Sequence, residues 1–208
     1  LIENLPFWVE RTTTPSREVS LMSEWETKLK AIVSEVKSKD VGSLTGVPSW
    51  MMVLLQRVLK DTGKKSISEV WPNLEVFFHG GISFVPYREQ YKQLIGKDIR
   101  YYEIYNASEG FFGIQDRFGS DEMLLMLDYG IFYEFIPMET FGTSQQKAIP
   151  LSEVEIGKNY AMVISTNAGL WRYIIGDTVR FTSVAPYRIK ITGRTKHFIN
   201  VFGEELII

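Results

Sequence analysis

The chain contains no cysteine, which excludes disulfides, thiolate zinc fingers, iron–sulfur clusters and thiol nucleophiles. Histidine is nearly as scarce. His79 and His197 are the two present, so a histidine-rich metal site is not expected and a serine-histidine-aspartate triad has two candidate bases. Charge is close to balanced: 23 Lys and Arg against 25 Asp and Glu give a formal net charge of −2. No global field therefore draws the protein to nucleic acid or an anionic membrane. Long hydrophobic runs are also missing. The most apolar window, Met123 to Met138, is broken by Asp128, Gly130 and Glu134, well short of the roughly 20 apolar residues of a spanning helix. No basic stretch followed by an apolar core and a small-residue cleavage site opens the chain. These absences predict a soluble, cytoplasmic protein with neither nucleic acid nor membrane as a partner.

What is there is a folding composition: 208 residues, 45% hydrophobic and 13% aromatic, enough for one large core or two small ones. The first residue is Leu1 rather than Met, and the last four, Glu205-Leu206-Ile207-Ile208, end on apolar side chains. Both features suggest a piece of something longer.

Along the chain, Leu21, Trp25, Leu29, Ile32, Val33 and Val36 repeat at helical spacing, with Ser23 and Glu26 placed as a capping box. A second amphipathic helix is expected after Pro48, carrying Trp50, Met51, Leu54, Leu55 and Val58 and stopping at Gly63. Both read as core-facing helices. Leu74 to Phe78 is a short β-type run that stops at His79-Gly80-Gly81, and Pro86 to Ile95 is helix-like. Ile99 to Tyr105 reads as another strand, turned by Asn106-Ala107-Ser108-Glu109-Gly110. Strand, loop, helix is an α/β rhythm, whose ligands gather at the carboxyl ends of strands.

Beyond Gly113 the pattern changes to strands separated by turn residues: Met123 to Asp128, Ile131 to Ile136, Tyr160 to Ser165, Leu170 to Ile175, Thr178 to Ser183 and Arg188 to Thr192. Asp128-Tyr129-Gly130 and Asn167-Ala168-Gly169 are natural hairpin corners. The fold class is thus α/β, with an α/β layer over about residues 1–115 followed by a mostly antiparallel β region over about 120–195.

Three segments could hold chemistry, and each has a plain structural alternative. Gly80 and Gly81 could let a ligand approach the backbone, or simply turn the chain after a strand. No Gly-Lys-Ser/Thr follows them, so they are not a P-loop. Tyr105 to Gly110 packs an aromatic ring, a hydroxyl and a carboxylate into one small-residue loop. A ring can stack on a base, a hydroxyl can bond a phosphate oxygen and a carboxylate can hold magnesium, though a surface turn uses the same residues. Arg172 to Asp177, with Gly193-Arg194-Thr195-Lys196, offers a carboxylate able to accept both hydroxyls of a ribose, with cations to offset phosphate charge. Asp177 in a hairpin turn is the alternative.

In this order the three segments resemble the adenylate-forming superfamily of acyl and aryl ligases. Tyr105 to Glu109 is similar to its aromatic-x-x-Thr/Ser-Glu motif, Tyr173 to Asp177 to its Tyr/Arg-x-Gly-Asp motif, and Gly193 to Gly203 to its hinge motif. Val47-Pro48-Ser49-Trp50, Val70-Trp71-Pro72-Asn73-Leu74, His79-Gly80-Gly81 and Ala107-Ser108-Glu109-Gly110-Phe111-Phe112-Gly113 more closely resemble the auxin-responsive Gretchen Hagen family of acyl-acid amido synthetases. The likeness runs over nearly the whole chain.

The resemblance implies activation of a carboxylic acid by ATP as an acyl-adenylate, followed by transfer to an amino acid amine, with Mg2+ as cofactor. Handing the acyl group to coenzyme A, or a non-catalytic module that binds nucleotide or acyl acid, are the alternatives. By motif match Tyr105 would stack on adenine, Ser108 would touch the α-phosphate, Glu109 would ligate magnesium, and Asp177 would hold the ribose. Arg194 would contact ribose or phosphate, Gly80 and Gly81 would line the adenine or acyl pocket, and Lys196 would be the hinge. Apolar residues from Val47 to Val58 and Ile82 to Tyr87, with Phe111 and Phe112, would line the acid pocket.

The likeness makes residues 1–195 a partial N-terminal adenylation domain and 196–208 the hinge and start of a C-terminal domain. The superfamily's phosphate loop is absent from Thr12 to Arg17, and no late catalytic lysine follows Lys196. The 208 residues alone are therefore expected to be inactive. Ala107, where plant members often have Ser, suggests a bacterial-type member.

Overall fold

The computed structural model describes residues 6–195, 198–201 and 204–207. The chain divides into two compact units, one of Leu1–Phe78 and Ser83–Arg100, the other of His79–Ile82 and Tyr101–Ile208.

The first unit is helical around a short strand pair. Its helices are α1 (Phe7–Thr12), α2 (Arg17–Ser20), α3 (Trp25–Val36), α4 (Pro48–Thr62), α5 (Ile67–Val70) and α6 (Arg88–Ile95). Its strands β1 (Ser43–Gly46) and β2 (Val76–His79) are neighbours. Helix α4 begins and ends as its sequence dictates. Pro48 needs no N–H partner in the first turn, and Gly63 closes the helix in the left-handed region at φ 67. On α3, Leu29, Ile32, Val33 and Val36 form the buried stripe.

The start of α3 differs from the expected capping box. Glu24 is the N-cap, and its carboxylate accepts from the N–H groups of Glu26 and Thr27 at 2.9 and 2.7 Å. Two carboxylate oxygens satisfy two orphan donors at once, so the helix starts at Trp25, and Leu21 lies outside it, 51% exposed. The tryptophans expected on the core faces of α3 and α4 are not core residues either. Trp25 and Trp50 are 39% and 43% exposed and meet edge to face at 4.9 Å. Trp71, Tyr91, Phe77, Leu55 and Ile95 form the buried centre, each at most 1% exposed. Their polar atoms are matched: Trp71 donates to the carbonyl of Val36 at 3.1 Å and Tyr91 to that of Pro48 at 2.7 Å.

The second unit is a β-sheet built from β3 (Arg100–Ala107), β4 (Gly110–Ile114), β5 (Met123–Leu125), β6 (Ile131–Pro137), β7 (Ile149–Pro150), β8 (Asn159–Thr166), β9 (Tyr173–Val184) and β10 (Tyr187–Arg194). They lie in the order β3-β4-β5-β10-β9-β8-β6-β7, and the neighbouring strands run antiparallel. A separate pair, β11 (Phe198–Val201) and β12 (Glu204–Ile207), is also antiparallel.

Alternation places Tyr160, Met162 and Ile164 of β8 against Phe135, Val179, Phe181 and Ile189 in one cluster. Ala161 and Val163 join Ile136 in a second. Phe135 and Phe181, both fully buried, meet edge to face at 4.9 Å. Burial of each such ring stabilises the sheet by about 2–3 kcal/mol.

Three differences from the sequence reading bear on the site. The segment expected as a loop, Asn106 to Gly110, is mostly strand: β3 runs to Ala107, which pairs with Gly110 across a two-residue turn, Ser108 and Glu109. The β pattern therefore starts near Arg100 rather than after residue 115. Leu170 to Ile175 and Thr178 to Ser183, expected as two strands, are instead covered by one continuous strand from Tyr173. Gly176, at φ 93, keeps the strand going rather than turning it. Asp128 to Gly130 does turn the chain, but β5 and β6 are not neighbours, so it is no hairpin corner.

One buried ion cluster ties β10 to the segment between β4 and β5. The Arg188 side chain is 4% exposed and grips the Asp116 carboxylate with both terminal nitrogens. Its Nε lies 3.8 Å from Glu122.

Candidate functional site

The antiparallel register of β9 and β10 sets Asp177 opposite Arg194 and Thr178 opposite Gly193. A bulge between Ile191 and Gly193 re-aims the end of β10, the usual effect of one unpaired residue. Arg194 Nε then stands 3.1 Å from Asp177 Oδ1. From β3 the Tyr105 hydroxyl donates to Asp177 Oδ2 at 2.6 Å. Two residues, from β3 and β10, thus converge on one carboxylate of β9. Its side chain is 16% exposed and that of Arg194 32%, so the cluster opens to solvent on the arginine side.

Gly176 lies beside this arrangement. A Cβ there would lie 3.4 Å from Arg194 Nη2, and the Gly176 carbonyl accepts from the Thr195 N–H at 2.8 Å. Behind the bulge, the Thr178 and Thr192 hydroxyls bond each other at 2.9 Å.

Tyr105, expected to stack on adenine, is placed mostly inside the sheet's core. The residue is 5% exposed and its ring packs on Phe112 at 5.0 Å, so the hydroxyl is the part that reaches the cluster. Burial first, and the Asp177 carboxylate second, push the phenol far above its ordinary range. It stays protonated and can only donate to the carboxylate. The sequence signal for this role was available: a hydroxylated ring on the inward face of a strand, where Phe would serve for packing alone.

Ser108 and Glu109 form the turn at the tip of the β3–β4 hairpin, Ser108 exposed and Glu109 half-exposed. Gly80 lies along β3: a Cβ there would fall 2.4 Å from the Ile104 carbonyl oxygen and 3.2 Å from Asn106 Oδ1. Gly81 adopts φ 82. Gly80 and the Ser-Glu turn therefore both adjoin β3. Lys196 lies outside the described residues. Arg172 makes a two-point pair with Glu134 of β6 at 2.9 and 3.0 Å. Phe112, expected as a pocket wall, is fully buried in the core, while Phe111 is half-buried beside Tyr129.

Among the described residues no group of three or more His, Cys, Asp or Glu is placed to hold a metal. A single accessible carboxylate such as that of Glu109 has the chemistry of a Mg2+ donor, since Mg2+ keeps several waters and commonly takes one or two carboxylates together with substrate phosphates. No described helix is long and apolar enough to cross a membrane.

The fold is shared with adenylate-forming ligases. The solved GH3.15 acyl acid amido synthetase superposes with a TM-score of 0.69 at 14% identity, over 92% of this chain and 43% of that one. A 2-hydroxyisobutyryl-CoA ligase in complex with 2-HIB-AMP and CoA superposes with a TM-score of 0.64 at 15% identity, over 88% of this chain and 39% of that one. Within this class the sequence is more specific. The GH3 family N-terminal domain matches residues 1–99 and the GH3 family central domain residues 124–194, and the chain belongs to the GH3 family.

Its curated relatives include the indole-3-acetic acid-amido synthetase GH3.3 of Arabidopsis thaliana, 32% identical over 123 residues, which are 56% of this chain and 20% of that protein. GH3.8 of Oryza sativa subsp. indica, with the same activity in its name, is 34% identical over 127 residues, 56% of this chain and 20% of its own length. The jasmonoyl-L-amino acid synthetase GH3.5 of Oryza sativa subsp. japonica is 31% identical over 131 residues, 55% of this chain and 22% of that protein. The chain spans about a fifth of the length of these relatives.

Proposed function

We propose that the protein is an acyl-acid amido synthetase. A carboxylate oxygen attacks the α-phosphorus of ATP and pyrophosphate leaves, giving an acyl-adenylate. An amino acid amine then attacks the acyl carbon, AMP leaves, and the amine loses a proton to give the amide. The logic is leaving-group activation: a free carboxylate would have to expel oxide, whereas AMP departs as a stable anion. The observation that carries this reading is the Asp177 carboxylate, held by Tyr105 and Arg194, a constellation suited to a ribose diol. Family membership and the fold shared with adenylate-forming ligases support it.

In this reading Asp177 accepts the ribose hydroxyls, Arg194 offsets phosphate or binds ribose, and Ser108 donates to an α-phosphate oxygen. Gly80, packed against the Ile104 carbonyl of β3, and Gly81 would line the adenine or acyl pocket through their backbone. Glu109 would hold Mg2+, whose charge when bound lowers the repulsion between the two anions that must meet. Residues 1–195 then belong to the adenylation domain, with Lys196 at the hinge that follows. The substrates are a small carboxylic acid, ATP and an amino acid, and the setting is cytoplasmic.

In the full-length protein, Glu109→Gln is expected to lower acid-dependent hydroxamate formation at least a hundredfold, the scale of losing one main electrostatic contribution to a transition state. Circular dichroism is expected to stay unchanged. Hydroxamate formation at the unaltered rate would refute the assignment. The fold is shared with a CoA ligase, so products are compared with amino acids and with coenzyme A as acceptors. An amide is expected, and a thioester alone would replace this reading with acyl-CoA synthesis.

A further inference from the structure

We propose that Tyr105 is a positioning residue for the nucleotide: its hydroxyl holds the Asp177 carboxylate in the orientation that receives the ribose hydroxyls. This rests on the adenylation reading above. The hydroxyl lies 2.6 Å from Oδ2, and the opposite oxygen, Oδ1, is met by Arg194 Nε at 3.1 Å. Each carboxylate oxygen has two acceptor sites. Among the described residues one site on each oxygen is taken, and one on each remains, which matches the two donors of a vicinal diol.

The Asp χ2 torsion is broad and roughly two-fold, so the carboxylate needs an external reference to keep its plane. Arg194, 32% exposed and last in its strand, supplies a solvent-facing one. Tyr105 is locked by burial, with 5% exposure and Phe112 against its ring, and supplies a rigid one. Burial and the Asp177 carboxylate raise the phenol's pKa, so the hydroxyl stays a donor at neutral pH. The ring and the hydroxyl make separable predictions, because Phe keeps the first and deletes the second.

The test is acid-dependent pyrophosphate exchange by the full-length protein into ATP, 2′-deoxy-ATP and 3′-deoxy-ATP. Tyr105→Phe is expected to raise KM for ATP about tenfold, the scale of one hydrogen bond to a charged group. The change in kcat is expected to be much smaller, and the two deoxy nucleotides little affected, so the preference for the intact diol shrinks. In an Asp177→Asn background the same substitution is expected to add nothing, because its effect passes through the aspartate. A folding defect would lower activity in both backgrounds, so the comparison does not depend on full stability of the variant.

Equal losses on all three nucleotides, additive with Asp177→Asn, would overturn the proposal in favour of simple packing. Unaltered behaviour of Tyr105→Phe would overturn it in favour of the ring. If the unsubstituted protein exchanges pyrophosphate into none of the three, the adenylation reading fails and takes this inference with it. If it exchanges into ATP and Tyr105→Phe keeps the full diol preference, the inference alone fails.

Discussion

Removing the carboxylate of Asp116 strands a buried cation, and the structure gives the size of the effect. The Arg188 side chain is 4% exposed whereas that of Asp116 is 33% exposed, so the two partners of this pair stand in unequal solvent. Asp116→Ala leaves a guanidinium inside the protein with Glu122 at 3.8 Å from Nε as its nearest remaining counter-charge. Breaking a buried pair from one side costs about 3–5 kcal/mol, and Glu122 places this case at about 3 kcal/mol.

For a chain of this length about 2–4 °C is lost per kcal/mol, so the midpoint should fall by about 6–12 °C. Arg188→Met removes the buried charge at similar volume and leaves an aspartate that water can reach. It is expected to cost about 1 kcal/mol or less. Thermal and urea unfolding followed by circular dichroism measure both.

The pH dependence has a defined sign. Hydrogen bonding from Arg188 holds the Asp116 carboxyl below its ordinary range. Its stabilisation is complete above the unfolded value of about 3.9 and is lost as the pH falls through the lower folded one. The gap between the natural chain and Asp116→Ala should narrow in that acid window. If Arg188→Met proved more damaging than Asp116→Ala, or if Asp116→Ala cost under about 1 kcal/mol, the buried-cation reasoning would be wrong.

Two further predictions concern single positions. Gly80→Ala sets a methyl 2.4 Å from the Ile104 carbonyl oxygen, a backbone atom that cannot swing aside. It should cost about 1–3 kcal/mol in urea unfolding, while Gly42→Ala, whose nearest neighbour would be Asn73 O at 3.8 Å, should stay within about 0.5 kcal/mol of the natural chain. Burial, with Asp121 nearby, raises the pKa of Glu103. A raised folded-state carboxyl destabilises as the pH climbs from the unfolded value of about 4.3 through the folded one. Glu103→Gln should accordingly melt higher than the natural chain at neutral pH, with the gain disappearing in acid; no gain at neutral pH would contradict the desolvation account.

Local chemistry in the sequence was enough for some elements. Pro48 and Gly63 bracket α4 because each acts through its own backbone, and the break at Gly80 and Gly81 needs no partner to be visible. Pairing was not legible in the same way. Ser108 and Glu109 suffice for a hairpin turn only once β4 exists to pair with β3, and one sequence does not display that register. Gly176 looks like a turn residue, yet β8 pairs with β9 both before and after it, at Ile174 and Thr178, and the glycine is absorbed as an irregularity of that ladder. Glu24 outcompeted Ser23 as a cap because a carboxylate satisfies two donors where a hydroxyl satisfies one.

At the site, Asp177 and Arg194 were legible as chemical types. Their contact with each other, and with the hydroxyl of Tyr105, depends on strand order and on the bulge between Ile191 and Gly193.

Tyr105 and Asp177 are 72 positions apart in sequence, and the cluster they form with Arg194 has no local precursor. It comes into being only when three strands are in register, among the most non-local and slowest contacts a chain makes. A ligand that recognises the cluster therefore recognises the completed sheet and nothing less. By mass action a bound ligand at a hundred times its Kd adds about 2.7 kcal/mol to the stability of that sheet. Occupancy of the site and integrity of the β unit are thus two readings of one equilibrium.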